Sequence, residues 1–120
     1  MAARNIPKDQ WHPFFERFTK TIQDQRQADV EIASLEYGDQ LLAEKVSLHG
    51  LSYDAKGGIF EVEMANINHR VIRPAQVFVD WEAGGVIGVE VVGDDDVRTI
   101  LRIREPLMLP EPQGAWSGSG

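Results

Sequence analysis

His69, Arg70 and Arg73 fall within five residues of one another in a chain that is otherwise acidic, and Pro74 follows them. Two guanidinium groups at this spacing can hold an anionic ligand, or the carboxylates of a protein partner, through bidentate hydrogen bonds. Their other use is pairing with outward carboxylates of neighbouring strands, which contributes only ~0–1 kcal/mol per exposed pair. His69, Arg70 and Arg73 are therefore the candidate ligand- or partner-binding residues. No residue is assigned a catalytic or a metal-binding role.

The remaining chemistry-bearing residues do not form constellations. His12, His49 and His69 lie 37 and 20 residues apart and share no ligand spacing of the i, i+4 kind. Asp94-Asp95-Asp96 lacks the spaced oxygen ligands of a calcium loop and reads as a solvated hairpin turn. Gly50-Leu51-Ser52-Tyr53-Asp54 departs from the G-x-S-x-G elbow at its last place. Glu61 and Glu63 stand on one strand face about 7 Å apart by strand rise, as on any amphipathic strand with an acidic exterior. Gly57-Gly58 and Gly84-Gly85 precede no helix, so neither cradles a phosphate.

The elements that must position these residues begin with a helix. Trp11, Phe14, Phe15, Phe18 and Ile22 recur at i, i+3, i+4, i+7 and i+11, which puts every large apolar side chain on one helical face. Glu16, Arg17, Lys20 and Asp24 fill the opposite face. With Asp9 as N-cap and Pro13 in the first turn, the helix is expected over residues 10–25.

From Ala28 onward the period becomes two. Val30 and Ile32 alternate with acids, then Leu35 and Tyr37 fall on the other parity, as a bend near Ala33 would produce. Leu42, Val46 and Leu48 share a parity that Gly50 interrupts, and 54–58 is a turn. Phe60, Val62 and Met64 alternate with Glu61 and Glu63. Residues 69–73 form a short extended stretch in which Pro74 pushes Arg73 towards extended geometry. The last third reads as a meander. A three-residue loop at 83–85 sets Trp81 opposite Ile87, Val79 opposite Val89 and Val77 opposite Val91. Val97, Thr99, Leu101 and Ile103 return on the buried parity, with Arg98, Arg102 and Arg104 outside near Glu90, Glu82 and Asp80.

The expected fold is α+β: an amphipathic helix on a strongly bent antiparallel sheet of about five or six strands, in outline like an Sm-like or SH3-like barrel. One domain spans residues 5–107, and 108–120, rich in proline, glycine and serine, form a disordered tail.

Composition narrows the function classes. The 120 residues suit one core. The formal charge is −7, and residues 1–27 hold five Lys or Arg against three acids, so the rest of the chain carries −9. A body of that sign repels phosphate backbones, which places nucleic acid last among partners. Without cysteine there is no disulfide, thiolate catalysis or Cys-based zinc site, and no cofactor is implied. No stretch of about 18 apolar residues occurs and no secretory h-region opens the chain, so the cytoplasm is the expected location, with no membrane partner.

Ile6-Pro7-Lys8-Asp9-Gln10-Trp11, the following Phe14-Phe15-Glu16-Arg17-Phe18-Thr19, Gly50-Leu51-Ser52-Tyr53-Asp54 and His69-Arg70-Val71-Ile72-Arg73-Pro74 resemble a family of small bacterial proteins known only as a domain of unknown function. The resemblance covers roughly residues 5–107. It implies bacterial origin and the domain limits, and it carries no activity, cofactor or catalytic residue.

The expected function is that of a non-enzymatic protein-interaction or regulatory domain, homodimeric through a sheet edge or through the aromatic helix face. A second class is a small anionic-ligand binder or enzyme with a pocket between helix and sheet, rimmed by His69, Arg70 and Arg73. Nucleic-acid binding is the weaker third.

Overall fold

The computed structural model describes residues 2–22, 26–82 and 85–109. They form strands β1 (Ala2–Asn5), β2 (Arg26–Ser34), β3 (Gly38–Asp54), β4 (Ile59–Met64), β5 (Asn68–Ile72), β6 (Pro74–Glu82), β7 (Gly85–Gly93) and β8 (Arg98–Leu107). Between β1 and β2 lie a 3-10 turn, Lys8–Gln10, and one helix, α1 (Trp11–Thr21).

All eight strands belong to one sheet of order β1-β6-β7-β8-β2-β3-β4-β5, with every neighbouring pair antiparallel. This overturns the expected architecture. The chain is mostly β, an open eight-stranded sheet with a single short helix, and neither an α+β fold on five or six strands nor a closed barrel. Two misreadings account for the difference. β1 has no apolar alternation and exists because β6 offers an unpaired edge, so pairing rather than pattern creates it. β5, expected only as a short extended stretch over 69–73, is a full strand whose residues 68–72 pair with β4.

Arg73 alone separates β5, one edge of the sheet, from β6, second from the other edge, so the sheet must curl sharply. Pro74 does not hold Arg73 extended: its φ is 56°. A left-handed non-glycine residue costs ~1–3 kcal/mol. Two backbone hydrogen bonds offset that cost. The Arg73 amide donates to the Gly58 carbonyl at 2.8 Å, and the Arg73 carbonyl accepts from the Asp94 amide at 3.1 Å.

The inner face of the sheet and the helix share one core. Trp11, Phe14, Phe15 and Phe18 are buried and Ile22 is half-buried. Phe15 packs on Phe60 with ring centroids 5.0 Å apart, Phe14 meets Trp81 at 6.0 Å, and Trp11 meets Tyr53 edge-on at 5.0 Å. The helix is shorter than expected. Ile22 has left helical geometry, with ψ at 86°, and the expected continuation over 23–25 lies outside the described residues. No side chain caps it, because the 3-10 turn feeds directly into it and moves the N-cap from Asp9 to Gln10. Among the described residues no helix is long and apolar enough to cross a membrane.

Helix and sheet are joined at one peptide. The Thr19 hydroxyl donates to the Leu51 carbonyl at 2.7 Å and accepts from the Leu51 amide at 3.0 Å. This approach requires glycine next door, since a Cβ on Gly50 would lie 2.8 Å from Thr19 Cγ2. Gly50→Ala is expected to destabilise the domain by ~1–3 kcal/mol, as overpacking does. Urea unfolding checks this, and Thr19→Ser, which removes the clashing methyl, should recover part of the loss in the double variant.

The domain extends past its expected limit. Leu107 and Leu109 are buried, and the Leu109 carbonyl accepts from Trp81 Nε1 at 2.8 Å. The rest of the expected tail, 110–120, lies outside the described residues.

Candidate functional site

The structure separates the three basic residues that sequence singled out. Alternation along β5 turns His69 and Val71 inward and Arg70 and Ile72 outward. His69 Nε2 lies 3.3 Å from the hydroxyl of buried Thr99, and burial holds its pKa below the ordinary value by penalising the charged ring. Arg70, with its side chain 65% exposed, pairs with Glu61 at 3.3 Å across the β4–β5 ladder. Arg73, 76% exposed, pairs with Asp94 at 2.9 Å and serves as the kink of the curl. Both guanidiniums are occupied by carboxylates, and the three side chains converge on no common point.

A groove does run between helix and sheet, as the second class required, but its rim is different. His12, Glu16, Lys20, Thr19, Ser52 and Glu63 line about 300 Å3 there, and none of His69, Arg70 or Arg73 reaches it. His49 is exposed where the β3–β4 register shifts. Among the described residues no group of three or more His, Asp or Glu side chains is placed to hold a metal ion. Asp95 spends its carboxylate on its own turn, accepting from the Val97 amide at 3.0 Å.

The most conspicuous surface is one the sequence reading turned the wrong way. β2 ends at Ser34, so Leu35, Glu36 and Tyr37 form the turn into β3 rather than continuing a bent strand. Leu35 is fully exposed (100%), Tyr37 is 74% exposed and Leu41 is 58% exposed. Turns favour Gly, Asn, Asp, Ser and Pro, so two large apolar residues at a hairpin tip gain nothing for the fold. That mismatch was the available signal, and Gly38-Asp39 just after them marked where to look.

The tip is held in shape. The Ser34 hydroxyl accepts from the Tyr37 amide at 3.0 Å, and Gly38 turns the chain with φ at 72°. β2 neighbours β8, so the tip stands beside the β7–β8 turn, and between them lies a groove of about 390 Å3. Leu35, Tyr37 and Val97 supply its apolar lining; Glu36, Asp95 and Asp96 supply its charge. No Lys or Arg occurs between residues 74 and 97, and Lys45 is the only one between 27 and 55. The groove is thus apolar with an acidic rim.

Strand addition next to this groove is obstructed. Residues 38–46 of β3 have no strand partner on their outer edge among the described residues. However, the register against β2 shifts twice there, between Ala28 and Val30 and between Val30 and Glu31, and Lys45 adopts φ 51°. Bulges of this kind blunt a free edge against pairing. Asp29 fixes the distortion: its carboxylate accepts from the Lys45 amide and from Arg104, both at 2.9 Å, which lowers its pKa, chiefly through the amide bond. Contacts at this end of the molecule therefore fall to side chains.

Comparison with known proteins gives one family and one relative to report. The family described as "Family of unknown function (DUF5335)" matches residues 2–112. An uncharacterized protein of Aquifex aeolicus (strain VF5) is 36% identical over 112 residues, covering 92% of this chain and 100% of that protein. No solved structure matches.

Proposed function

Because the chain belongs to the family of unknown function DUF5335, we propose its role from its geometry: it is a protein-interaction domain that takes a basic, apolar segment of a partner into the groove at the β2–β3 tip. The observation that carries this reading is the exposure of Leu35, Tyr37 and Leu41 together on one ordered hairpin. Clustered exposed apolar side chains on a soluble domain mark a contact surface. The acidic rim of Glu36, Asp95 and Asp96 selects the partner's sign and speeds encounter. A second copy of this chain is a poorer occupant, since acid would meet acid across the symmetry axis. The absence of cysteine suits a reducing cytoplasm.

The test uses a labelled peptide of alternating lysine and leucine, its glutamate-for-lysine counterpart, and amide NMR of the whole chain. The basic peptide is expected to perturb residues 34–37 and 95–97. Leu35→Ser with Tyr37→Ser should weaken it at least about tenfold, ~1.4 kcal/mol, while leaving the thermal midpoint in place. Perturbations spread over the whole acidic surface, equal binding of the acidic peptide, or concentration-dependent self-association through the tip would each overturn the proposal.

A further inference from the structure

The outer face of β6, β7 and β8 carries a second depression, unrelated to the hairpin tip. The expected pairing of Trp81 with Ile87 fails because the β6–β7 register shifts between Asp80 and Trp81, and Trp81 pairs with Val86 instead. Ile87 is the extra residue, and the bulge brings it to the outer face. Next to it, Gly88 faces Asp80 on one side and Arg102 on the other. With no side chain at Gly88 the sheet face is bare there. A Cβ would sit 3.2 Å from the Leu101 carbonyl and 3.9 Å from Asp80 Cβ. The result is a depression of about 490 Å3 with Phe78, Ile87 and Ile100 as apolar walls.

Its two charged ends are both unfinished. Asp80 Oδ1 is buried and has no hydrogen-bond partner among the described residues. Arg102 makes no ion pair with any of them, although its neighbours on β8 do: Arg98 pairs with Glu90, and Arg104 with Asp29. Asp80 and Arg102 stand two strands apart, about 10 Å between backbones. A buried carboxylate oxygen without a donor loses its hydration and gains nothing in return. Such an atom is normally satisfied by something.

From this arrangement we infer that the depression over Gly88 binds a zwitterion with an apolar body, a free α-amino acid with an aliphatic or aromatic side chain. The ligand's ammonium donates to Asp80, its carboxylate takes the Arg102 guanidinium, and its side chain lies against Phe78, Ile87 and Ile100. Each part excludes a simpler ligand. A plain amine meets the repulsion of Arg102, and a plain carboxylate meets Asp80 and Glu90. The volume falls within the range of small-molecule sites.

Amide NMR and calorimetry on the whole chain test this with L-leucine and L-phenylalanine, alongside isopentylamine and 4-methylpentanoate, which each keep the leucine body and one of its charges. The amino acids at millimolar concentration are expected to shift the amides of Gly88, Glu90 and Ile100. Each single-charge analogue should bind at least about tenfold more weakly, and so should the amino acids to Asp80→Asn and to Arg102→Gln. Arg102 is exposed, so its variant stays folded and keeps the test decisive. Absence of shifts, or an amine that binds as well as leucine, would overturn the inference. So would a fall in the ligand-free thermal midpoint on Arg102→Gln, which would show that Arg102 closes over Gly88 onto Asp80 by itself.

Discussion

Phe15→Ala is expected to lower the unfolding free energy by ~3–5 kcal/mol, the usual cost of truncating a buried phenylalanine. Phe15 is 1% exposed and reaches from the helix to Phe60 on β4, while Phe14 beside it reaches Trp81 on β6. β4 and β6 lie far apart in the strand order, and the curl of the sheet brings both to the same helix. An alanine there leaves a cavity between the helix and β4 that the remaining aromatic rings cannot fill without moving both. A domain of this size has ~5–15 kcal/mol in total, so the loss should be visible as a large fall in the urea midpoint. Glu16→Ala, at an exposed position on the rim of the groove between helix and sheet, should move it by no more than ~0.5 kcal/mol. Equal midpoints for the two variants would mean that the aromatic face does not hold helix to sheet.

What made that face legible in the sequence was periodicity, and periodicity also delivered most of the meander. Val79 opposite Val89 and Val77 opposite Val91 follow from alternation alone. Thr99, Leu101 and Ile103 are buried on the expected parity, whereas Val97, expected with them, precedes β8 and is only half-buried. The features that escaped are those where a residue departs from its pattern because of something distant in the chain. β1 depends on an edge 73 to 79 residues later. Ile87 is indistinguishable from an inward strand residue until the bulge is known, and Gly88 becomes a depression only because Asp80 and Arg102 flank it. The prominence of His69, Arg70 and Arg73 came from local charge density. Pairing consumed it: Glu61 and Asp94 each take one guanidinium, and Thr99 takes the imidazole. Arg102, expected on the outer face with Arg98 and Arg104, is the one of the three that makes no ion pair with a carboxylate among the described residues.

The end of β8 supplies the second large effect, at a place where composition was misleading. Pro106, Pro110 and Pro112 suggest a chain leaving the fold, yet Leu107 is fully buried and pairs with Val86 on β7. A Cβ on Gly85 would lie 3.2 Å from the Leu107 carbonyl, so the two backbones meet closely there. Two residues later Leu109 is buried as well and receives the Trp81 indole N–H. β8 ends at Leu107, and the Leu109 amide donates to the Leu107 carbonyl at 2.7 Å, a three-residue turn that buries Leu107 and Leu109 on either side of exposed Met108. Leu107→Ala is therefore expected to cost ~2–5 kcal/mol, like other fully buried leucines. Met108→Ala should stay within ~0.5 kcal/mol of the parent. The measurement is urea unfolding of both variants, with tryptophan fluorescence as one probe and far-ultraviolet dichroism as the other. If β8 locks onto β7 as described, both probes fall together for Leu107→Ala, with an unchanged slope against urea. A Leu107→Ala midpoint equal to that of Met108→Ala would place the end of the folded domain before Leu107, and the indole contact at Leu109 would then contribute nothing to stability.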